Sequence, residues 1–463
     1  MKATILIIFL ISVLITSTAF FFKYKPQTNH SVLDCSIGPG KCVVGKLEYS
    51  IKECRATSPS NPPNPIDILD CLLTKKVLKK ITYIADSDNY ISAPLTEKHF
   101  NLEFINIDLN EPWDLEFLPD GSMLVTERRG RIVHIDKNLT TEVYKVEPIV
   151  LAETGLLGMA IDPDFSSNNY VYIYYTYKLD NSDLLFLIPE DDPTFISKRR
   201  VINKISRLTL KKGTLKDEKV ILDNIPGSSW HSGGRLDFGP DGKLYATTGD
   251  ASDWILTQDP KFLGGKILRL NTDGAVPGDN PFPESYTYSM GHRNPQGLAW
   301  HPATNELFAS EHGPRHYDEI NHIKGGKNYG WGTYKCDEFN YATIISRILG
   351  PSPLPPNEKV VFPVVCIKSW TMAPSGIEFV SDPKSPWYGS LFVASLRGKH
   401  LHRYEIENDK IVVDEIFYVS EGKDYTKQED IGKISSRIRD VEYYDGSLYV
   451  IGDVSGLVKL TPK

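Results

Sequence analysis

Short runs of alternating hydrophobic and polar residues, each preceded by a turn rich in Asp, Gly, Pro or Asn, recur through most of the chain. Six copies of this phrase begin at Leu118, Asp162, Gly239, His301, Ser385 and Tyr443. Alternation with a period of two is typical of a β-strand that buries one face, and the turn residues mark strand ends. No long amphipathic helix pattern competes with it after residue 96. The pattern predicts repeated antiparallel strand units.

Repeated strand units at intervals of tens of residues are typical of a β-propeller, because a blade cannot bury both faces until its neighbours stack on it. We therefore predict an all-β fold, a six-bladed β-propeller over residues 96–463. The spacing of the phrases exceeds the ~40 to 45 residues of compact blades, so some loops must be long. Long loops on a rigid scaffold commonly carry binding and catalytic residues.

The N-terminus has a different pattern, with a nearly unbroken apolar run from residue 3 to residue 22, followed by Lys23 and Lys25. Residues 1–25 are predicted to be a signal peptide or a membrane anchor. Both alternatives export the chain. We expect it outside the cell or on the periplasmic side of the membrane, either secreted or associated with the membrane through this segment.

Residues 26–95 lack the blade phrase and contain four of the six cysteines, namely Cys35, Cys42, Cys54 and Cys71. An even number of cysteines in an exported chain favours disulfides, with Cys336 and Cys366 as a further pair. A zinc site is the alternative, although the chain has no CxxC pair with a nearby His. We interpret this region as a separate, Cys-containing N-terminal extension.

The composition and net charge limit the kinds of function to be expected of this protein. Of the 463 residues, 41% are hydrophobic and 24% are charged, which describes a globular chain. The formal net charge is −7 at pH 7, and Lys and Arg form no block. An extended nucleic-acid-binding face needs such a local excess of cations, so a nucleic-acid partner is not expected.

The stretch WHSGGRLDFGPDGKLYATTGD contains more special residues than a turn and a strand require. His231 stands before Gly233 and Gly234, and Asp250 ends the strand that follows. An outgoing strand and its return can place His231 beside Asp250, and a His held by a carboxylate is a candidate general base. A loop histidine that makes a local hydrogen bond is the alternative.

The stretch YSMGHRNPQGLAWHP places Arg293, Asn294 and Gln296 around a proline, immediately before a blade strand. This arrangement presents several hydrogen-bond donors in a fixed fork, which suits a flat, oxygen-rich anion. In SSRIRDV, Arg437 and Arg439 stand two apart and share one face of a strand, where an anion would relieve their repulsion. Polar turns and exposed strand arginines are the alternatives.

The stretch SEHGPRHYDEINHIKGGKNYGWG combines Glu311, Asp318 and Glu319 with Gly313 and Pro314. Hard cations bind carboxylates and backbone carbonyls, and loops bent by Gly and Pro can present carbonyls inward. Calcium is a candidate ligand, although the spacing is not that of an EF-hand. A solvated acidic loop is the alternative.

Six of the motifs occur together and in order: GLLGMAIDPDF, HSGGRLDFGPDGKLY, GHRNPQGLAWHP, EHGPRHYDEIN, KNYGWG and RIRDV. Together they resemble the soluble aldose sugar dehydrogenases that depend on pyrroloquinoline quinone (PQQ), also called the glucose/sorbosone dehydrogenase family. The resemblance covers residues 105–463. It implies a six-bladed propeller, in agreement with the number of phrases, and PQQ and Ca²⁺ as cofactors.

The resemblance also implies roles for single residues. His231 matches the catalytic base and substrate contact, Asp250 its carboxylate partner, Arg293 a residue near the reactive quinone oxygen, and Glu153 a substrate contact. The implied contacts to PQQ are Arg293, Asn294, Gln296, Thr371, Arg397, Arg437 and Arg439. The implied ligands of calcium are the carbonyls of Gly313 and Pro314 and, at a second site, Glu319 and the carbonyl of Tyr329.

Two positions depart from the family pattern. Arg397 stands where the family usually has Lys, which keeps the charge and changes the geometry of the contact. Trp230 precedes His231 where some members have a carboxylate, so the choice of sugar is left open.

The implied reaction is oxidation of an aldose at C1 to the lactone, with His231 removing the proton and the hydride passing to PQQ. No CxxCH haem motif is present, so an external acceptor, a quinone or a redox protein, would take the electrons. Two alternatives remain. One is a non-catalytic extracellular propeller that binds carbohydrate or protein, and the other is a calcium-dependent lactonase.

Overall fold

The computed structural model describes residues 30–34, 43–49, 78–83, 96–137, 139–179, 200–314, 316–336, 338–339, 360–368, 370–419, 437–453 and 456–463. The predicted signal or anchor segment, residues 1–25, lies outside these ranges, as do the four clustered cysteines. The predictions made for them stay predictions. Within the described ranges, no helix has the length and apolar character needed to cross a membrane.

The chain divides into two compact units. One unit comprises Met1–Asp34 and Val43–Asn89. Its described part is a three-stranded antiparallel sheet with the strands in chain order, namely β1 (His30–Asp34), β2 (Val43–Tyr49) and β3 (Leu78–Tyr83). The other unit holds the remaining residues, including Tyr90–Lys463, and it contains the propeller.

The propeller begins with a one-turn helix and a single strand, α1 (Thr96–His99) and β4 (Phe100–Ile105). Blade one contains β5 (Pro112–Phe117), β6 (Met123–Glu127), β7 (Arg131–Asp136) and β8 (Leu139–Lys145). Blade two contains β9 (Leu156–Ile161), the short helix α2 (Phe165–Asn168), β10 (Tyr170–Leu179), β11 (Arg200–Lys211) and β12 (Thr214–Ser228). Blade three contains β13 (Gly233–Phe238), β14 (Leu244–Thr248), a 3₁₀ turn (Leu256–Gln258), β15 (Lys266–Leu270) and β16 (Thr287–Met290).

The remaining blades repeat the same antiparallel order. Blade four contains β17 (Pro295–Trp300), β18 (Leu307–Glu311), β19 (Asp318–Ile323), an inserted hairpin of β20 (Tyr334–Lys335) and β21 (Glu338–Phe339), and β22 (Val365–Ile367). Blade five contains β23 (Pro374–Phe379), β24 (Leu391–Ser395), β25 (Leu401–Glu407) and β26 (Lys410–Phe417). Blade six contains β27 (Ile438–Tyr444), β28 (Ser447–Gly452), β29 (Gly456–Pro462) and, as its fourth strand, β4.

Blade six closes the ring with strands from both ends of the propeller sequence. Strand β29 pairs antiparallel with β4, in a register that runs from Leu457 opposite Ile105 to Pro462 opposite Phe100. Hydrogen bonds therefore join the first strand of the propeller to the last one. Closure leaves no gap between the first and last blades, where a sheet face would otherwise be exposed.

Each of the six sequence phrases spans the turn between the first and second strands of a different blade. The predicted six-bladed β-propeller is confirmed. The second strands carry the hydrophobic runs of the phrases, and in blades one, three, four, five and six every residue of that strand is buried. Neighbouring blades cover both faces of these strands, whereas the outer strand β8 is mostly exposed.

The first strand of each blade lies on the inside of the ring. Consecutive inner strands contact each other in the order β5, β9, β13, β17, β23, β27 and back to β5. Because they occupy equivalent places in equivalent blades, all six begin at the same end of the ring. The second strand of each blade is antiparallel to the first and ends there as well. Two sets of loops therefore meet at one mouth.

Candidate active site

One cavity of about 710 Å³ opens at this mouth. Its volume lies within the ~300 to 1,000 Å³ that is usual for small-molecule sites. The wall includes nine residues that the sequence predicted for the site: Glu153, His231, Arg293, Gln296, Gly313, Thr371, Arg397, Arg437 and Arg439. Loops that lie far apart in the sequence thus converge on one cavity, as the fold requires.

His231 and Asp250 come from the two sets of loops of blade three. His231 precedes the inner strand β13, and Asp250 follows the second strand β14. The two loops approach so closely that a Cβ on Gly249 would lie 1.7 Å from the carbonyl oxygen of His231, so only glycine fits there. Nδ1 of His231 lies 2.8 Å from Oδ1 of Asp250. Since a carboxylate only accepts, Nδ1 carries the hydrogen, so in the neutral form of the imidazole Nε2 has the lone pair.

Asp250 is buried and held by several donors. Its Oδ1 accepts the backbone N–H of Ser252 at 2.8 Å, and its Oδ2 accepts Nε1–H of Trp331 at 2.8 Å. Burial favours a higher pKa for Asp250, but the hydrogen bond and charge of His231 and the charge of Arg293 outweigh it and hold this pKa below its usual value. Asp250 is therefore an anion that fixes the imidazole.

Glu153 holds the same loop from the side of blade two. Its Oε2 accepts the backbone N–H of His231 at 2.7 Å and Nδ2–H of Asn294 at 3.1 Å. Oδ1 of Asn294 in turn accepts the backbone N–H of Gly233 at 3.0 Å. Asn294 is fully buried behind the wall and does not line the cavity. In this structure it braces Glu153 and the His231 loop, while its implied contact with a cofactor stays a prediction.

Arg293 lies in the wall next to this pair. Its Nη1 donates to the carbonyl of His312 at 2.9 Å, and its guanidinium lies 5.4 Å from the ring centroid of Trp331. Burial lowers the pKa of Arg293. Its Nε–H is buried and has no hydrogen-bond partner among the residues that the structure describes. A cation in this state has a donor available for a ligand.

Arg437 and Arg439 enter from blade six and differ in their surroundings. Nε of Arg437 pairs with Asp453 at 3.1 Å, and this side chain is 52% exposed. Arg439 is half-buried, and its Nη1 donates to Oε1 of Gln296 at 3.0 Å. Burial, together with the like charge of Arg437, lowers the pKa of Arg439 to about 10. Nε of Arg439 is also buried without a partner.

A buried ion network supports the floor of the cavity. Arg235, from the inner strand β13, binds Asp114 on β5 and Asp440 on β27, the latter at 3.0 Å through Nη1. Its Nε donates to the carbonyl of Gln296 at 3.1 Å. Its guanidinium lies 4.6 Å from the ring centroid of Trp113, which lines the cavity. One side chain thus ties four inner strands together beneath the site.

Several residues of the wall were not singled out from the sequence. They are Glu111, Pro112, Trp113, Arg128, His312 and Asp453, among others. Burial lowers the pKa of His312 to about 4, and its Nε2 is buried without a partner. His312 belongs to the EHGPR motif, so its neighbourhood was recognised although its role was not. Arg128 pairs with Glu111 at 2.7 Å and is largely neutralised.

The wall fits a flat polyanion such as PQQ, which carries three carboxylates. Among the described residues, buried and unpartnered nitrogens of three side chains, Arg293, Arg439 and His312, occur in one cavity wall. Buried polar groups normally find partners, and a group of exceptions in one place needs an explanation. Arg397 adds a further guanidinium to the same cavity. Charge-assisted hydrogen bonds from the guanidinium groups to carboxylates would satisfy the unpartnered donors of Arg293 and Arg439.

The residues predicted to bind calcium surround a second, much smaller cavity of about 10 Å³ beside the first. Its wall includes Gly313, Pro314, Glu319 and Tyr329, together with Glu311. This space holds about one sphere the size of a water molecule. Burial and the neighbouring Glu311 raise the pKa of Glu319 to about 8. A cation in this space would stabilise its ionised form.

In the described part of the chain, no three His, Cys, Asp or Glu side chains converge in a way that could hold a metal ion. A calcium site here would therefore depend on backbone carbonyls and water as well as on carboxylates, which is usual for Ca²⁺. The oxygen donors of Gly313, Pro314, Glu319 and Tyr329 are of the type that Ca²⁺ prefers.

A disulfide joins Cys336 to Cys366 and confirms the predicted pair. Cys366 lies on β22 directly opposite Glu319 on β19, and the backbone N–H of Cys336 donates to Oε1 of Glu319 at 2.9 Å. The disulfide thus fixes the outer side of the small cavity.

Comparison with known proteins agrees with these findings. Residues 109–459 match the family model described as glucose/sorbosone dehydrogenase. The chain is 31% identical to the aldose sugar dehydrogenase YliI of Escherichia coli, over 80% of this chain and 95% of that one. It is 34% identical to quinoprotein glucose dehydrogenase B of Acinetobacter calcoaceticus, over 58% of this chain and 62% of that one.

Solved structures give the same result. The PQQ-bound aldose sugar dehydrogenase of Streptomyces coelicolor superimposes with a TM-score of 0.61 and is 30% identical, over 79% of this chain and 98% of that one. The apo form of the soluble aldose sugar dehydrogenase of Escherichia coli gives a TM-score of 0.62 at 30% identity. With this fold, this set of site residues and a family match over most of its length, the chain belongs to the glucose/sorbosone dehydrogenase family.

Proposed function

We propose that this protein is a PQQ-dependent sugar dehydrogenase that oxidises an aldose at C1 to the lactone. Ca²⁺ is the second cofactor, and an external quinone or redox protein receives the electrons. The observation that carries the proposal is the position of His231, oriented by Asp250, on the same cavity as the unpartnered nitrogens of Arg293, Arg439 and His312. A general base and a group of side chains that could bind an anion thus line one cavity, whose volume suits a small molecule.

His231 is the general base in this proposal. Its Nδ1–H is committed to Asp250, so Nε2 can accept a proton from the anomeric hydroxyl of the sugar. The carboxylate of Asp250 keeps the imidazole in this tautomer and stabilises the imidazolium once the proton has moved. Removal of that proton together with the C1 hydride takes two electrons from the sugar and leaves the lactone.

PQQ, when bound, supplies the ortho-quinone that accepts the hydride. The arginines in the wall, Arg293, Arg397, Arg437 and Arg439, would hold its carboxylates. The partly buried position of Arg293 and Arg439 strengthens these contacts, since a charge pair is screened less there than in water. Gln296 and Thr371 complete the polar part of the wall.

Calcium would bind through the carbonyls of Gly313 and Pro314, with Glu319 and the carbonyl of Tyr329 forming a second site. The small cavity lined by these four residues supports this part of the proposal. Gly313 lines both cavities, so a cation at this point would also lie beside the cofactor.

Export of the chain and its attachment through residues 1–25 are also part of the proposal, because the apolar run at residues 3–22 suits a signal peptide or an anchor. Attachment to a membrane would bring the protein to the same surface as a membrane quinone or a membrane-associated redox protein.

The proposal is tested by adding PQQ and Ca²⁺ to the purified chain and measuring dye reduction with a panel of aldoses. We expect sugar-dependent reduction that requires PQQ and that falls by about 10²-fold or more in His231→Ala. Binding without turnover by any aldose would favour a carbohydrate-binding propeller. Hydrolysis of lactones without PQQ would favour a lactonase. Either result would remove the dehydrogenase assignment.

A further inference from the structure

Blade five contains a chain of hydrogen bonds between buried side chains that the proposed chemistry does not use. His400 and His402 are fully buried, and Nε2 of His400 lies 3.3 Å from Nδ1 of His402. Nε2 of His402 bonds to Oδ1 of Asp414 on the neighbouring strand β26. The Asp414 side chain is 33% exposed. This series of hydrogen bonds therefore runs from the interior of the blade to its surface.

The inner end of this chain meets the turn that carries Arg397. Nδ1 of His400 lies 2.9 Å from the carbonyl oxygen of Gly398. A Cβ on Gly398 would lie 2.3 Å from Cε1 of His400, so the imidazole packs directly against the turn and only glycine leaves room for it. The next residue, Lys399, has a φ of 56°, a left-handed conformation that needs support from its surroundings.

The same turn is joined to a second part of the cavity wall. The backbone N–H groups of Arg397 and Gly398 both donate to the carbonyl of Met372 at 3.0 Å. Trp370 packs on both imidazoles, with ring centroids 5.7 Å from His400 and 6.2 Å from His402. Thr371, between Trp370 and Met372, lines the cavity as Arg397 does. The hydrogen-bonded histidines thus support two neighbouring residues of the cavity wall, Arg397 and Thr371.

The hydrogen bonds define where the protons lie. The carbonyl of Gly398 only accepts, so Nδ1 of His400 carries a hydrogen. Burial, reinforced by His402, lowers the pKa of His400 to about 3, so His400 has this one proton and its Nε2 accepts. Nδ1 of His402 then donates to His400, and Nε2 of His402 shares a hydrogen with the carboxyl group of Asp414.

We propose that His400, His402 and Asp414 form a positioning device for Arg397. Asp414 fixes His402, His402 orients the imidazole of His400, and His400 holds the carbonyl of Gly398 and thereby the turn that presents the guanidinium of Arg397 to the cavity. Arg397 stands where the family usually has Lys. A planar guanidinium binds a carboxylate through a fork of fixed geometry, whereas an ammonium group tolerates many directions, so an arginine here depends more on a fixed backbone.

The test is a double-mutant cycle on the affinity for PQQ, measured by equilibrium dialysis on the full chain. His400→Phe fills the space of the imidazole but donates no hydrogen bond, and we expect it to weaken binding about tenfold. In an Arg397→Ala background, His400→Phe should not weaken PQQ binding further, because His400 affects PQQ binding through the contact that Arg397 makes. His400→Asn can still donate to the carbonyl of Gly398 and should recover most of the affinity.

The matched control is His134→Phe. His134 bonds Ser122 at 2.7 Å in blade one and does not line the cavity, so PQQ affinity should not change. Additive effects of His400→Phe and Arg397→Ala would overturn the proposal, as would an Asn variant as damaged as the Phe variant. If His400→Phe does not fold, Asp414→Ala takes its place in the cycle. Asp414 is the exposed end of the hydrogen-bond series, so the expected loss of PQQ affinity is smaller.

The identity of the ligand rests on the proposed function, so a second readout needs no cofactor. In cofactor-free protein with ¹⁵N-labelled arginine, the Nε–H signal of Arg397, assigned through Arg397→Lys, should shift in His400→Phe and return in His400→Asn. An unchanged signal in His400→Phe would contradict the positioning role whatever the cofactor is. Failure of the wild type to bind PQQ would instead contradict the proposed function and leave this spectrum as the deciding result.

Discussion

Asp250 binds His231 and Trp331 with its two carboxylate oxygens, each at 2.8 Å, and it lies behind the cavity wall without lining it. The carboxylate thus accepts on both sides and can orient the imidazole without touching a ligand. This relationship separates the proton-transfer machinery from the residues that would hold the cofactor, and it makes the two separately testable.

Asp250→Asn should abolish most turnover and leave cofactor binding intact. An amide has one accepting oxygen, so its NH₂ group must face either Nε1–H of Trp331 or Nδ1 of His231. Facing His231, it would move the imidazole hydrogen to Nε2, where no proton can then be accepted. We expect kcat to fall by about 10² to 10⁴-fold, with a PQQ dissociation constant within about twofold of wild type. A loss of PQQ affinity with normal kcat would contradict this role.

The two arginines of blade six should contribute unequally. Nε of Arg439 is buried and has no partner among the described residues, whereas the Arg437 side chain is half exposed and already paired with Asp453. A buried hydrogen bond to a charged group contributes roughly 1.5 to 3 kcal/mol, and an exposed pair contributes less than about 1 kcal/mol. Arg439→Gln should therefore weaken PQQ binding by more than about tenfold, and Arg437→Gln by less than about fivefold. Equal losses in dialysis would show that burial does not set the strength of these contacts.

Trp230 should contribute to sugar binding. It lines the cavity next to His231, and 44% of it is exposed, unusually much for so large an apolar side chain. An aromatic ring offers a flat surface for the C–H face of a sugar, and aromatic contacts are worth roughly 0.5 to 1.5 kcal/mol. Trp230→Ala should raise KM for the sugar about threefold to tenfold with little change in kcat. Tyr388→Ala, an exposed aromatic outside the cavity wall, is the control and should leave KM unchanged.

Lys266 makes stability depend on pH. Its side chain is fully buried, its Nζ donates to the carbonyls of Thr257 and Gly264 at 2.8 Å, and burial lowers its pKa to about 7. Between this value and the ordinary one near 10.5, the unfolded chain binds a proton that the folded chain has lost. The free energy of unfolding therefore rises with pH in this window, by up to about 1.4 kcal/mol per pH unit.

Lys266→Met removes this proton from both states. Denaturant unfolding at pH 7 and pH 9 should show the wild type gaining stability relative to the variant, by roughly 2 kcal/mol. Other buried groups titrate in both proteins, so their effects cancel in the difference. A constant difference between the two proteins across this range would show that the folded state does not depress the pKa of Lys266.

Much of the fold and of the site could be predicted from the sequence because its signals are local. Each blade phrase lies within one turn and two strands, and the motifs around His231 and Arg293 directly precede inner strands. The closure of blade six could not be predicted in this way, since β4 pairs with β29 across the whole propeller and neither strand encodes its partner locally.

The residues missed from the sequence act through distant contacts. In the sequence, Arg235 resembles any other strand residue. Only the structure shows that it binds Asp114 and Asp440, which lie far from it along the chain. Asn294 belongs to a motif that implies a cofactor contact. In the structure its side-chain amide donates to Glu153 and accepts the backbone N–H of Gly233. Which polar atoms face the cavity and which brace its wall depends on the packing of neighbouring blades, which spacing alone does not encode.

The most direct test of the central claim is an anaerobic single-turnover measurement. PQQ is bound to wild type and to His231→Ala in the presence of Ca²⁺, an excess of aldose is added, and the absorbance of the quinone is followed. We predict equal PQQ binding by both proteins, rapid loss of the quinone absorbance in the wild type and a rate lower by at least about 10²-fold in the variant. Equal rates of reduction in the two proteins, or a wild-type cavity that binds no PQQ, would contradict it.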